Sequence, residues 1–330
     1  EPRYLRDSIS FHQICTVSMS FFDKIKGLFG KKDDAPSIDS EGPKKTPVSR
    51  KGQKLDVATR FELDKHAFNG TMSQFRVAKE FVTGKTVGLK FLDVEKSTQF
   101  EERFIGLKKP SEGEIALKLT HERIVQTYEV GNTTQNQPYI LMEYINGPGL
   151  DTLINERSQR LNGKRVTLIK QMAEAIGAVH NAGFIHRDVC PRNFICHESL
   201  DWLKLIDFGL SVPDEPNFRR PGNRTGTPLY MAPEIVRRRQ TDKRVDIFAF
   251  GVTCFRMLVF DHPWSSSDTT GKAALAHDSR PPIELISLNP KLTPELVKAV
   301  MTCIKPNPND RPESMEHFLR MIRKVEHEEI

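Results

Sequence analysis

The chain has few cysteines and no long uncharged apolar run. Its five cysteines form no C-x-x-C pair and are odd in number, so a disulfide framework or a zinc site is not expected. We therefore predict a reducing, cytoplasmic setting. The longest apolar stretch, residues 245–260, contains Asp246 and Arg256 and falls short of membrane-spanning length. It is better explained as a buried core helix.

The N-terminal segment, residues 1–30, lacks the small-residue cleavage pattern of a secretory signal. Met19 within it is a plausible translation start. Residues 21–29 place five apolar side chains on one helical face, which predicts an amphipathic helix. We expect weak peripheral membrane contact through residues 19–32; a helix capping the main domain, or a frayed tail, are the alternatives.

A linker and a single large domain follow this segment. Residues 31–58 are charged, rich in serine and proline and poor in apolar side chains, which predicts a flexible linker. The domain is predicted over residues 59–326 and contains no internal repeat. Strand patterns dominate residues 59–145, and helical patterns dominate residues 146–326. The fold class is therefore α+β, with a small strand-rich lobe, a larger helical lobe and a ligand cleft between them.

Three motifs follow one another in the chain: "IHRDVCPRNFI" at 185–195, "LKLIDFGLS" at 203–211 and "GTPLYMAPE" at 226–234. Together they resemble the signature set of the eukaryotic-type (Hanks-type) serine/threonine protein kinases. The resemblance extends over about residues 61–325. It implies the bilobal kinase fold and transfer of the ATP γ-phosphate to a protein hydroxyl. It implies a protein substrate, and nothing in the sequence indicates nucleic-acid binding.

Three polar residues of these motifs suit phosphoryl transfer. That reaction needs neutralisation of a triphosphate and a nucleophile held in line. Asp207 follows an apolar strand and can ligate Mg²⁺, with Mn²⁺ as the alternative, and Asn193 offers an oxygen to a second ion. Asp188 is left to orient a substrate hydroxyl and accept its proton. A turn or helix-cap role is the alternative for either aspartate.

The resemblance also implies an ATP site in the small lobe. Lys90 matches the strand lysine that holds the α- and β-phosphates, and its glutamate partner is predicted to be Glu112, with Glu114 as the close alternative. Residues matching the adenine site are Met142 at the back pocket, Glu143 and Ile145 in the hinge, and Ile195 beneath the base.

Other matched residues are implied to support the site. Glu234 and Arg311 are expected to form a buried ion pair, and Asp246 to anchor the catalytic-loop backbone. Arg187 is expected to pair with a phosphate on the activation segment, residues 207–234. On that segment Thr225 is the predicted phosphorylation site. Thr227 matches the threonine that contacts the catalytic aspartate in serine/threonine-specific members.

The catalytic loop departs from the family pattern at one position. Cys190 stands where a lysine normally steadies the γ-phosphate. Arg192, two residues further on, is predicted to supply the missing charge. A redox role for Cys190 would require an exposed thiol of low pKa.

The glycine-rich loop departs more strongly. In "GTMSQFRV", residues 70–77, only Gly70 and Val77 match G-x-G-x-x-G-x-V, and Met72 and Phe75 replace two glycines. Side chains there are expected to hold the loop away from phosphate and weaken ATP binding. An active kinase is therefore the first hypothesis. The second is a pseudokinase that serves as a nucleotide-binding or scaffolding module.

Overall fold

The computed structural model describes residues 54–70, 72–221, 225–264 and 273–329. The predicted membrane-surface segment at residues 19–32 and most of the predicted linker lie outside these residues. The described domain begins ahead of the boundary expected at residue 59. Leu55 is only 7% exposed and forms a β-bridge with Thr133, so the N-lobe core includes it.

The N-lobe is one antiparallel sheet of five strands in the order β1-β2-β3-β5-β4. A short helix precedes β1, and two helices lie between β3 and β4, the first of which begins directly after Asp93. Asp93 caps that helix by accepting a hydrogen bond from the Lys96 N–H. The elements are α1 Val57–Arg60, β1 Phe61–Asn69, β2 Ser73–Glu80, β3 Thr86–Leu92, α2 Val94–Glu101, α3 Glu112–Lys118, β4 Thr127–Asn132 and β5 Pro138–Glu143.

The two faces of this sheet differ in character. The apolar side chains of one face pack together in a cluster that includes Phe61, Val87 and Leu89. The next residue in β3, Lys90, points to the other face because side chains alternate along a strand. That second face is the roof of the cleft.

The C-lobe is mainly helical, with two short two-stranded sheets beneath the cleft. Its central helix is buried on all sides from residue 245 to residue 258, as its predominantly apolar sequence predicts. The elements are α4 Leu150–Asn155, α5 Arg165–Asn181, β6 Phe184–Ile185, β7 Phe194–Cys196, β8 Leu203–Leu205, β9 Val212–Pro213, α6 Pro233–Val236, α7 Arg244–Val259, α8 Ala276–Ser279, α9 Leu285–Leu288, α10 Pro294–Cys303 and α11 Met315–Met321.

The predicted α+β architecture with two lobes and a cleft is confirmed. The domain runs past the end predicted at residue 326, because Glu328 forms a buried ion pair with Arg165 (3.1 Å) and Glu329 forms a β-bridge with Leu292. In the described ranges, no helix combines the length and apolarity needed to cross a bilayer.

Candidate active site

The loop between β6 and β7 is held by one buried carboxylate. Asp246, near the start of α7, accepts hydrogen bonds from the backbone N–H groups of His186 and Arg187, both at 2.8 Å. His180 of α5 contacts the same carboxylate at 2.9 Å. Burial opposes the charge of Asp246, but His180 and these amides hold its pKa below the ordinary value. The predicted anchoring contact is present; His180 was not predicted, because a helix-end histidine carries no distinctive sequence signal.

The loop places Asp188 at the cleft. Its Oδ1 accepts hydrogen bonds from the N–H (2.9 Å) and hydroxyl (2.7 Å) of Thr227, and its Oδ2 accepts one from Asn193 Nδ2 (3.2 Å). Burial raises the pKa of Asp188 even though Thr227 and Arg192 favour the ionised form. A carboxylate so held is oriented and has increased proton affinity, as a general base requires.

Arg192 and Cys190 lie beside this carboxylate. Arg192 Nη2 donates to the Thr227 hydroxyl at 2.8 Å, so its guanidinium belongs to the same network as Asp188. The Cys190 side chain is buried, and burial raises the pKa of its thiol to about 12. A redox role needs an exposed thiol of low pKa, so the structure argues against that role for Cys190.

A charged triad joins the two lobes. Lys90 Nζ lies 2.5 Å from Glu112 Oε1 and 2.9 Å from Asp207 Oδ1. Burial alone would lower the pKa of Lys90, but the two carboxylates raise it above its ordinary value. Glu112 is therefore the carboxylate that pairs with Lys90. The alternative, Glu114, instead completes a capping box with Ser111 at the start of α3.

Asp207 takes a strained backbone conformation in the cleft. Its φ is +68°, and its Oδ1 also accepts a hydrogen bond from the Gly209 N–H at 3.0 Å. Burial disfavours its charge, yet Lys90 keeps its pKa below the ordinary carboxyl value. Because both bonds use Oδ1, Oδ2 is the oxygen that can face a cation.

The donor set near Asp207 suits a hard cation bound together with a polyphosphate. Asn193 Nδ2 is used in bonds to Asp188, which leaves the amide oxygen Oδ1 as its metal donor. Within the described ranges, no cluster of three His, Cys, Asp or Glu residues could hold a metal ion without further ligands. Asp207 and Asn193 therefore fit Mg²⁺ or Mn²⁺ only as part of a shell that phosphate oxygens and water complete.

The rear of the cleft contains the residues matched to the adenine site. Met142 in β5 pairs with Gly88 of β3, and Ile145 is buried just beyond the strand end. Glu143 accepts hydrogen bonds from the Gln126 N–H (2.9 Å) and Lys204 Nζ (2.5 Å). Lys204, which was not predicted, thus ties the hinge to the C-lobe. Ile195 in β7 lies on the C-lobe side of the hinge, bridged to Gly149.

The turn between β1 and β2 is shorter than the glycine-rich motif suggested. β1 ends at Asn69 and β2 begins at Ser73, and the Gly70 N–H donates to the Ser73 carbonyl at 2.7 Å. Phe75 and Val77 both lie within β2. Phe75 is therefore a strand residue, and its β-carbon is not part of the turn expected to approach phosphate.

The activation segment lies in close contact with the catalytic loop. Gly226 has a φ of +117°, and a β-carbon there would lie 2.7 Å from the Arg187 carbonyl oxygen. The Thr225 hydroxyl is buried and has no hydrogen-bond partner in the described part of the chain. At the end of the segment, Glu234 forms a bidentate ion pair with Arg311 at 2.7 and 2.9 Å. Both side chains of this pair are buried.

Comparison with known proteins agrees with this geometry. The sequence model of the protein kinase domain matches residues 61–321. The chain is 27% identical over 282 residues to serine/threonine-protein kinase pkn3 of Myxococcus xanthus, covering 82% of this chain and 51% of that protein. It is 30% identical over 267 residues to a probable serine/threonine-protein kinase, CE0033, of Corynebacterium efficiens, covering 77% and 39%.

A third relative is serine/threonine-protein kinase PknB of Mycolicibacterium smegmatis, 28% identical over 263 residues, or 77% of this chain and 41% of that protein. The chain thus spans about half or less of the length of the curated relatives it matches. The residues that the protein kinase domain model matches, 61–321, include all the cleft residues described above.

Proposed function

The chain belongs to the protein kinase family, and from that premise we propose that it transfers the γ-phosphate of ATP to serine or threonine hydroxyls of protein substrates. The family uses ATP and a divalent metal ion; Mg²⁺ is our proposal for this chain, with Mn²⁺ as the alternative. The observation that carries the proposal is Asp188, held at the cleft by Thr227 and Asn193 while Lys90 orients Asp207 opposite.

Each residue then has a distinct task. Lys90, extended by Glu112, directs its ammonium group toward the α- and β-phosphates. Asp207 and Asn193 are proposed to hold the divalent ion, which neutralises charge on the phosphates. Asp188 accepts the proton of the substrate hydroxyl, since its pKa is raised and its orientation is fixed.

The side of the cleft that faces a peptide contains the Thr227–Asp188 contact. The Thr227 hydroxyl donates a hydrogen bond to Asp188 and accepts one from Arg192. The Thr227 oxygen therefore links the Asp188 carboxylate to the Arg192 guanidinium. We propose that Arg192 stabilises negative charge on the transferring phosphoryl group, as a lysine at position 190 otherwise would. A guanidinium is well suited to that role, because it stays charged and binds phosphate oxygens through several N–H groups.

We also propose that phosphorylation of Thr225 regulates the activity. Burial, and then the nearby Arg103 guanidinium, lower the pKa of Arg187 to about 10 despite the opposing charge of Asp246. A phosphate dianion near Arg187 would stabilise its charged form. The buried Thr225 hydroxyl would have to leave its present position to be phosphorylated.

The test is autophosphorylation with labelled ATP and Mg²⁺ after phosphatase treatment. The parent is compared with Asp188→Asn and with Asp201→Asn, a control at an exposed ion pair with Lys164. We expect incorporation in the parent and the control, a loss of about 10²–10⁴-fold in Asp188→Asn, and label at Thr225.

Equal labelling of Asp188→Asn and the parent would contradict the role of Asp188. No labelling of any variant, together with thermal stabilisation by ATP, would instead support the nucleotide-binding pseudokinase. A label that maps away from residues 207–234 would leave the transfer activity intact and reject Thr225 as its regulatory site.

A further inference from the structure

Phe75 lies on the cleft side of the N-lobe sheet. In the β2–β3 pairing, Phe75 is opposite Lys90 and Val77 is opposite Gly88. Residues directly opposite each other in an antiparallel pair point to the same face. Because Lys90 reaches Asp207 from that face, Phe75, Val77 and Gly88 all belong to the roof of the cleft.

The tip of the Phe75 ring rests on Gly88. A β-carbon built on Gly88 would lie 2.7 Å from Cε2 and 2.8 Å from Cζ of Phe75. It would also lie 3.2 Å from Cγ of Met142. Carbon atoms that are not bonded normally stay 3.5–4.0 Å apart, so the ring can take this position only because residue 88 has no side chain.

A second aromatic ring borders Phe75 on the side away from β3. Phe68 of β1 is the direct cross-strand partner of Phe75, and the two ring centroids are 6.4 Å apart with an interplanar angle of 44°. Aromatic pairs at this separation attract each other. Phe75 is thus packed between Phe68 and Gly88, and it is half-buried, so part of it still faces the cleft.

The departure from the glycine-rich motif at Phe75 therefore depends on the absence of a side chain at Gly88. We propose that Phe75, seated on Gly88, is the N-lobe wall of the nucleobase site and determines its affinity, with Ile195 on the opposite wall. This inference rests on the proposed ATP-dependent function. A flat aromatic ring stacks on a nucleobase and contributes to affinity with little dependence on which base it is.

The structure predicts how variants of this pair bind nucleotide. Phe75→Ala removes the stacking surface and is expected to weaken binding about tenfold, and Phe75→Leu, which keeps apolar bulk, several-fold. Gly88→Ala is expected to weaken binding about tenfold in the parent, because its methyl group drives the ring into the space of the base. In a Phe75→Ala background, Gly88→Ala should cost little, because the ring is absent.

Binding of a non-hydrolysable ATP analogue with Mg²⁺ would be measured by calorimetry on the full chain. Phe81→Leu is the control, since Phe81 is 57% exposed at the far end of the β2–β3 hairpin. Thermal unfolding without nucleotide identifies any variant that fails to fold. If Phe75→Ala fails to fold, the binding comparison uses Phe75→Leu in its place.

Unchanged or tighter binding in Phe75→Ala would overturn the inference, and tighter binding would show that the ring blocks the site. An equal effect of Gly88→Ala with and without Phe75 would also overturn it. The outcome is separable from that of the proposed function. A parent that binds the analogue with the expected variant pattern, yet transfers no phosphate, would refute the kinase activity and support the role of Phe75.

Discussion

The two walls of the cleft are built differently. On the C-lobe side, Asp246 and Asp188 are held by hydrogen bonds from backbone amides and neighbouring side chains, each with a fixed direction. On the N-lobe side, Phe75 rests on Gly88 through apolar contact. Directional networks lose much of their energy when one member changes, whereas apolar contacts tolerate paired changes of volume. The stronger departure from the family pattern, in the glycine-rich loop, lies on the N-lobe side, and the C-lobe side departs at Cys190 alone among the motif residues described above.

The largest expected effect concerns the buried ion pair of the C-lobe. Glu234→Ala leaves the Arg311 guanidinium buried without its carboxylate, so we expect a loss of about 3–5 kcal/mol in the free energy of unfolding. Denaturant unfolding measures it. Asp261→Ala, which breaks an exposed pair with Arg157, should cost at most about 1 kcal/mol.

If Glu234→Ala were as mild as Asp261→Ala, the contrast between a directional C-lobe and a tolerant N-lobe would fail. Replacing Glu234 and Arg311 together by methionine removes both buried charges. It should cost much less than Glu234→Ala, because no charge is left unpaired.

Lys90 is the exception in the N-lobe wall, because it takes part in a directional network that reaches the C-lobe. Lys90→Met removes the donor to Glu112 and Asp207, and we expect phosphoryl transfer to fall by about 10²–10³-fold. Initial-rate assays on a serine/threonine peptide measure the loss. Lys79→Met, a change at an exposed position of β2, should keep the parent rate. If the rate of Lys90→Met fell by less than threefold, Lys90 would have no role in the reaction.

Arg192 tests whether the C-lobe has replaced a missing charge. Arg192→Ala removes the donor to Thr227 and should slow transfer about tenfold, while Arg192→Lys should retain part of the rate because it keeps the charge. The same rate assay compares them. Equal rates for the parent and Arg192→Ala would mean that Arg192 does not replace the charge of the lysine that is missing at position 190.

The smallest expected effect is a shift in the pH dependence of the rate. Asp188 must be ionised to accept a proton, and burial raises its pKa, so kcat/KM should fall as the pH drops through that raised value. The Thr227 hydroxyl favours the ionised form, so Thr227→Ala should move this acid limb to higher pH. The pH–rate profiles of the parent and Thr227→Ala test this shift. If the acid side of the profile moved to lower pH in Thr227→Ala, Asp188 would not be the titrating group.

Much of the fold and the polar half of the site could be predicted from the sequence. Asp188, Asn193 and Asp207 lie within short, ordered motifs, and Glu234 and Arg311 match specific positions, so local sequence identifies them. The pairing of Lys90 with Glu112 rather than Glu114 was also encoded locally. Ser111 and Glu114 have the S-x-x-E spacing of a capping box, which assigns Glu114 to the helix start.

The apolar half of the site was not predictable in the same way. The glycine-rich pattern predicts that Phe75 lies in a loop, but the pairing of β2 with β1 and β3 places it in a strand. Its contact with Gly88 is a diagonal one across two strands, so it depends on a register that no single segment encodes. His180 and Lys204 were missed because their partners, Asp246 and Glu143, are 66 and 61 residues away in sequence.

The Asp246 carboxylate also has a consequence for hydrogen exchange in the catalytic loop. The amide protons of His186 and Arg187 are bonded inside the C-lobe, to a residue that is fully buried in α7. Their exchange with solvent deuterium therefore requires an opening of the helical core and not a local fluctuation of a surface loop. By this criterion, we expect the loop that contains Asp188 to be among the slowly exchanging parts of the lobe.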